Sequence, residues 1–322
     1  MSGVVHISYS FDTADGASIS AALRFGERLE GSWDWRRTLV RKALRVLGAP
    51  MDVSAGIVEY GLREKIAALK PSRVFIHWIG HEMLRYEELE CLAGIPVTLV
   101  LHDFSLFEPP PYRSATWFDR WRLRRISRVL SQLDIDYEAP SEWAARHIKE
   151  LQADARVSVR KTPVRSAFIQ KSDKQKKSSN GMFRLLFGCQ GGRRNPYKGF
   201  DELEAALGVL PDDAKQNMEL HVFGESADVC QTAGVKTLFH GEIECADELA
   251  SLYRMCDALA FPSLSETQGL VKEEALACGL KVVTFNRTAC PEGIIHKENG
   301  YIASDVPDYA NGIVWAMKSC GE

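Results

Sequence analysis

Two glutamates, Glu266 and Glu274, stand on either side of Gly269 in the stretch SETQGLVKEEALACGLKVV. In one continuous helix, eight steps of about 100° would leave them roughly 80° and two turns apart, too far to share one substrate atom. If SETQG is a loop and the helix starts near Gly269, Glu266 lies at the helix mouth and Glu274 more than one turn along it. The free N–H groups of residues 267 to 270, Thr267, Gln268, Gly269 and Leu270, then face whatever Glu266 faces. That arrangement suits a sugar nucleotide: one carboxylate accepts hydroxyl hydrogen bonds, the helix N-terminus meets a diphosphate, and the second carboxylate grips a ribose. The alternative is a surface helix with incidental glutamates.

A second group of residues follows the apolar run FRLLFGC. The sequence QGGRRNPYKGF sets Gly191, Gly192, Arg193, Arg194 and Lys198 within ten residues, between a strand and a helix start. These are the parts that hold a diphosphate: backbone donors, planar guanidinium forks and a point charge. A solvated basic turn is the alternative. Nearer the N-terminus, PVTLVLHD ends in His102 and Asp103, where a histidine can donate to a substrate hydroxyl or move a proton. A hydrogen-bonded structural histidine would look the same, and His77, at the end of SRVFIHW, has a similar place. The loop FDTADGAS puts Gly16 at a helix start, where backbone N–H groups can approach an anion, although its spacing is not that of a dinucleotide fold and an ordinary tight turn is equally consistent.

Such residues need a scaffold that presents loops. Short β-branched runs alternate with helical patterns throughout: VVHISYS then GASISAALRFGERLE, SRVFIHWIG then HEMLRYEELECLAG, PVTLVLHDF then an Arg-rich helix. Between about 165 and 182 the text turns polar and basic, RSAFIQKSDKQKKSSNGM, and then the alternation resumes. The expected architecture is α/β, two Rossmann-like doubly wound domains facing a cleft: residues 1–165, a linker at 166–182, and residues 183–322. In open parallel sheets ligands bind beyond the carboxyl ends of the strands, so both loop sets are expected to face that cleft.

The chain has 322 residues, 45% hydrophobic and 26% charged, with a formal net charge of -3. That charge gives no global pull toward nucleic acid. No apolar run reaches about 18 residues and the start carries no signal-peptide pattern, so a cytoplasmic protein is expected. The eight cysteines form no Cys-x-x-Cys pair and are read as reduced, with no zinc site.

With these residues laid out, the second half resembles the retaining glycosyltransferases of family 4, which have the GT-B architecture. The resemblance rests on Glu266 and Glu274 within ETQGLVKEEALACG, the preceding FPS, the Lys198-Gly199 pair, the aspartate of YRMCDALAF, and HKENGYIA. It covers roughly 183 to 315, and the first domain more faintly through the Gly16 loop, LHD and APSEW; bacterial enzymes of exopolysaccharide or lipopolysaccharide synthesis are the most similar members. The resemblance implies that Lys198 with Arg193 or Arg194 neutralises the departing diphosphate of a UDP- or GDP-sugar. It also implies that Glu266 and the backbone of Thr267 to Leu270 hold the sugar, that Glu274 binds the ribose, that His102 lies near the reacting sugar, and that Gly16 approaches the phosphates. Front-face transfer with retention, no metal and no cofactor beyond the nucleotide-sugar co-substrate follow from it. The chain departs from the family at Gln268, where an aromatic is usual, and at RTACPEG, where a Gly-Gly pair is usual; many members also carry a long closing helix, whereas this sequence stops at Cys320-Gly321-Glu322, so that helix is either absent or cut off.

Two basic, tryptophan-bearing stretches complete the expectations. Residues 33–48, WDWRRTLVRKALRVLG, and 117–133, WFDRWRLRRISRVLSQL, each combine five Lys or Arg with one Asp. Such helices fit an anionic leaflet, where each cation contributes about 1 kcal/mol, and would bring the enzyme to a lipid-linked acceptor on the inner membrane face. Packing on the first sheet with solvated arginines is the alternative. The expected activity is transfer of a sugar to a glycan or lipid-linked acceptor in cell-surface polysaccharide synthesis. Two alternatives are a sugar-nucleotide epimerase of the same fold and a catalytically silent accessory subunit that binds sugar nucleotide.

Overall fold

The computed structural model describes residues 4–8, 21–24, 42–44, 54–57, 59, 61–77, 79, 84–169, 181–189 and 191–320. The chain divides into two compact units, Met1–Arg160 and Lys161–Glu322, each with its own sheet. Gly16 and most of the 33–48 stretch lie outside the described residues.

The first sheet has six parallel strands: β1 (Val4–Ser8), β2 (Ala21–Arg24), β3 (Arg73–Ile76), β4 (Val97–Val100), β5 (Ile135–Ala139) and β6 (Arg156–Val159), in the order β2-β1-β3-β4-β5-β6. Helices α1 (Leu62–Leu69), α2 (Trp117–Leu130) and α3 (Glu142–Leu151) cover it, and Leu62, Ile66, Ile126, Val129, Ala144 and Ile148 join Val5, Ile7, Val74, Ile76, Val97 and Leu99 in one core. The start of α2 is fixed by a reciprocal cap, in which Thr116 accepts from the Asp119 backbone and Asp119 accepts from that of Thr116. Ser141 caps α3 by accepting from the Ala144 N–H at 3.0 Å, a contact of about 1 kcal/mol.

Two helical expectations fail here. Ala21–Arg24 is a strand, paired in parallel with Val5–Ser8. Helix propensity in Ala-Ala-Leu-Arg amounts to tenths of a kcal/mol per residue, whereas the ladder satisfies backbone groups. The segment Tyr86–Leu92 is a 3-10 helix, not an α-helix. Its buried Tyr86, Leu89 and Leu92 recur every third residue, which matches three residues per turn.

The second sheet has seven strands: β7 (Phe183–Gly188), β8 (Met218–Phe223), β9 (Cys230–Thr232), β10 (Val235–Phe239), β11 (Ala258–Phe261), β12 (Lys281–Phe285) and β13 (Gly300–Ala303). Their order is β13-β12-β11-β7-β8-β10-β9, with every pair parallel except β9 with β10. Among the described residues six helices accompany them: α4 (Ser166–Ile169), α5 (Phe200–Gly208), α6 (Asp212–Gln216), α7 (Ala246–Met255), α8 (Leu270–Ala277) and α9 (Val306–Ser319). Alternate strand residues enter two separate cores. Leu185, Val222, Ala260 and Val283 pack with Leu203 and Leu207 of α5 and Ile313 of α9, whereas Leu186, Phe223, Leu259 and Val282 pack with Leu249 of α7 and Ala275 of α8. The period of two along each strand thus shows a doubly wound sheet with helices on both faces.

The stretch expected to link the domains from residue 166 begins instead as α4, whose Ala167 and Phe168 are buried in the second core. Phe168, in the short apolar run Ala167-Phe168-Ile169, packs edge-on to Tyr253 at 5.4 Å, and this burial outweighs the polar composition of the segment that follows. Among the described residues, no helix is long and apolar enough to cross a membrane.

Candidate functional site

The loop after β7 contains two 3-10 turns, Gly192–Arg194 and Pro196–Lys198, and ends at Gly199, which begins α5 in a left-handed conformation with φ 65°. A Cβ on Gly199 would stand 2.2 Å from the Pro262 carbonyl oxygen, so only glycine lets this loop lie against the end of β11. The approach brings together two residues distant in sequence: Lys198 Nζ donates to Glu266 Oε1 at 2.6 Å. Their side chains are 25% and 12% exposed, so the pair is largely shielded but reachable from solvent.

Glu266 is held from behind by the altered loop. Its N–H donates to Thr288 Oγ1 at 3.0 Å, and its carbonyl accepts from the Ala289 N–H at 3.2 Å. RTACPEG therefore serves as the backing of the site residue. Gly269 caps α8 with φ 81°, and the helix runs from Leu270, as the loop-then-helix reading requires. The same glycine meets Phe261, whose Cζ would lie 2.8 Å from a Cβ placed there.

The two arginines differ. Arg193 forms a two-pronged pair with Glu225, Nε to Oε2 at 3.1 Å and Nη2 to Oε1 at 3.0 Å, and its guanidinium lies 4.5 Å from the Phe239 ring centre. Hydrogen bonding to Arg193 holds the Glu225 carboxyl below the usual carboxylate range, against the effect of burial. Arg194 extends with its side chain 87% exposed, its nearest carboxylate Glu225 at 4.0 Å. Arg193 is thus a structural cation, and Arg194 the accessible one. Glu225 was absent from the sequence reading, since an acidic residue after a Gly in MELHVFGE has no local signal for a partner in QGGRRNPYKGF.

Gln268 and Glu274 turn inward. The Gln268 amide is buried and exchanges two hydrogen bonds with the Thr162 backbone, at 3.0 and 2.9 Å. Glu274, 7% exposed, accepts from Arg165 Nη2 at 2.9 Å and from the Tyr253 hydroxyl at 3.3 Å. Burial raises the Glu274 pKa, and the Arg165 and Tyr253 contacts oppose that rise. Lys272, between them in the helix, is fully buried and donates to the Ala289 and Glu292 carbonyls at 3.1 and 2.6 Å.

In the first unit, His102 and His77 come together with ring centres 5.8 Å apart. Both line a shallow depression together with Asp103, Ser105 and Phe107. Desolvation by its neighbours lowers the His102 pKa, and the Asp103 carboxylate opposes this, so the exposed ring is neutral near pH 7 with access to water. The arginines of α2 do not all face solvent. Arg122 is buried and donates to the carbonyls of Ser105 and Glu108, while Arg125 binds Glu87 and the Ala55 and Gly56 carbonyls. Trp117, Arg120, Trp121, Arg124 and Arg128 remain exposed at helical spacing. Among the described residues, no group of three or more His, Cys, Asp or Glu is gathered to hold a metal.

Residues 171–319 match the family model for glycosyl transferases group 1. An uncharacterized glycosyltransferase of Methanocaldococcus jannaschii is 30% identical over 134 residues, 39% of this chain and 33% of that protein. A D-inositol 3-phosphate glycosyltransferase of Pseudarthrobacter chlorophenolicus is 30% identical over 146 residues, 42% of this chain and 34% of that protein. These matches span about a third of the length of the curated relatives. HepE of Anabaena, solved in complex with UDP and glucose, superposes with a TM-score of 0.62 at 17% identity, covering 100% of this chain and 90% of that one. Residues 171–319 are thus similar to the glycosyl transferases group 1, and the chain has the two-domain Rossmann-like fold of the GT-B glycosyltransferases.

Proposed function

We propose that this protein is a retaining glycosyltransferase that moves a sugar from a UDP- or GDP-sugar to a hydroxyl of a glycan or lipid-linked acceptor. The observation that carries the reading is the Lys198–Glu266 pair at 2.6 Å beside the N-terminus of α8. A cation and the helix N–H groups suit the departing diphosphate, and the carboxylate suits donor-sugar hydroxyls. Arg194 supplies the second accessible cation. The UDP and glucose complex of HepE supports the same ligand class.

In this mechanism the departing phosphate takes the acceptor proton at the face from which it leaves, so stabilising leaving-group charge is the main task and no metal is required. Lys198 and the start of α8 do this in the second unit. His102, neutral and exposed, donates to a sugar hydroxyl in the first. The exposed Trp and Arg stripe on α2 supports an anionic lipid surface as a partner, and the proposed work is at the cytoplasmic face of the membrane, in cell-surface polysaccharide synthesis. Liposome binding at low salt that disappears above roughly 0.5 M salt is expected, and no binding to anionic liposomes at low salt would remove that part of the proposal.

Incubation with a panel of nucleotide sugars, with and without EDTA, tests the whole. Nucleoside diphosphate release that is insensitive to EDTA and falls about 100-fold or more in Lys198→Ala and Glu266→Ala supports it. Binding of a donor with no release from any of them would favour an accessory subunit instead.

A further inference from the structure

The segment that opens the second unit is tied to α8 at two places. The Gln268 amide, one residue before the cap of α8, grips the Thr162 backbone through both of its polar atoms. Three residues further on, Arg165 Nη2 donates to Glu274 Oε1 at 2.9 Å. The other carboxylate oxygen accepts from Tyr253 at 3.3 Å. The Arg165 guanidinium also lies 4.9 Å from the Phe168 ring centre, and Phe168 packs edge-on to Tyr253. Arg165, Glu274, Tyr253 and Phe168 therefore form a closed ring of contacts drawn from the incoming segment, α8, α7 and α4.

The ring has a chemical consequence. The Glu274 side chain is 10% exposed, a setting in which a carboxylate is costly to ionise without a counter-charge. Arg165 supplies that charge while itself remaining 51% exposed, so the cation keeps most of its hydration. Each oxygen of an ionised carboxylate has two lone pairs, and the two contacts use one on each. One acceptor position per oxygen is left, side by side, as two adjacent hydroxyls on one ring would require. Arg165 holds the group in plane and Tyr253 fixes its rotation, so these positions are aimed before any ligand arrives.

We propose that Arg165 is a positioning residue for the nucleoside end of the donor: held in place by the Gln268–Thr162 clasp, it keeps Glu274 as a fixed acceptor for the two neighbouring ribose hydroxyls. This rests on the proposed reading in which Glu274 meets a ribose. It gives Gln268 a defined task, since the amide that replaces the family's usual aromatic anchors the backbone from which Arg165 extends.

Burial raises the Glu274 pKa, and the other groups facing it do not compete with it for protons. Burial pushes the Tyr253 hydroxyl well above its ordinary range and the Cys278 thiol up to about 11. Removing Arg165 deletes an interaction that favours the ionised carboxylate, so the Glu274 pKa rises further and protonation then blocks an acceptor position as pH falls.

The experiment measures affinity of the full chain for UDP, GDP and 2′-deoxy-UDP by calorimetry, in wild type, Arg165→Gln and Arg165→Lys, from about pH 6 to about pH 9. Wild type is expected to prefer UDP over 2′-deoxy-UDP at all these pH values. Arg165→Gln should lose roughly tenfold or more for UDP, lose the ribose preference, and recover affinity as pH rises, whereas Arg165→Lys should retain most of both. A merely structural role would weaken UDP and 2′-deoxy-UDP alike and leave the pH profile flat, and that result would overturn the inference. So would Arg165→Gln binding UDP as wild type does. If wild type binds neither UDP nor GDP, the nucleotide reading itself fails, and this inference with it. Should Arg165→Gln not fold, Gln268→Ala provides the second variant, with the same loss of ribose preference expected and an unchanged preference contradicting the clasp.

Discussion

Replacing Lys198 by Met and Glu266 by Gln, singly and together, tests whether the pair works as a unit. The two groups lie 2.6 Å apart with side chains 25% and 12% exposed. Exposed pairs are worth up to about 1 kcal/mol, whereas breaking a fully buried one costs about 3–5 kcal/mol because a charge is left unpaired. The pair lies between these limits, so Lys198→Met is expected to destabilise the second unit by about 2 kcal/mol. Glu266→Gln should cost about 1 kcal/mol, because the freed ammonium reaches water more easily. The double variant removes both charges, and the cycle should show a coupling of about 1–2 kcal/mol. Urea unfolding followed by intrinsic fluorescence measures all four proteins. Nucleotide release measured in parallel should fall by roughly 100-fold or more in each single variant and not recover in the double one, since stability is regained there but the cation is not. Single effects that add within about 0.5 kcal/mol would show that the pair is not formed in solution and would refute the reasoning.

Three further outcomes follow from particular contacts. Gly269→Ala places a side chain at φ 81° against Phe261 Cζ at 2.8 Å, so the melting temperature should fall with a loss of about 2 kcal/mol or more, and an unchanged melting point would contradict the left-handed cap. Gln268→Ala removes both bonds to Thr162 and should cost about 1–3 kcal/mol and open the chain near residue 162 to limited proteolysis; wild-type resistance would count against the clasp. His221 is buried beside His240, Nδ1 to Nε2 at 2.9 Å, and burial followed by the neighbouring His240 pushes its pKa down to about 4. A histidine depressed in this way favours folding fully above its unfolded value of about 6.5, and the contribution, up to about 3 kcal/mol, declines as pH falls toward 4. His221→Phe should flatten the stability profile in that window, and a profile that keeps the wild-type slope would assign it to other groups.

Much of the second unit was legible in the sequence because its signals are local. Apolar β-branched runs end at glycines, and SETQG stops where Leu270 starts α8. Lys198 and Glu266 were identified separately from their own surroundings, and the fold supplied only their contact. Glu225, Arg165 and Tyr253 were not legible. Each acts through a partner 21 to 109 positions away, and side-chain pairing at such separations leaves no periodic trace. Gln268 was visible as a departure, but its direction was not, because burial against Thr162 depends on how the incoming segment lies. The same holds for α2: its heavy arginine content suggested a uniformly charged surface, yet Arg122 is buried among carbonyls of the 105–108 loop. Strand β2 escaped because Ala, Leu and Arg carry helix propensity that pairing with β1 overrides.

Proton NMR of the donor's anomeric signal tests the central claim most directly. Wild-type protein with a UDP- or GDP-hexose panel and a lipid-linked or glycan acceptor is predicted to consume one donor and yield a glycosidic signal of the same anomeric configuration, with or without EDTA. Every donor signal remaining intact, or a product of opposite configuration, would contradict the account.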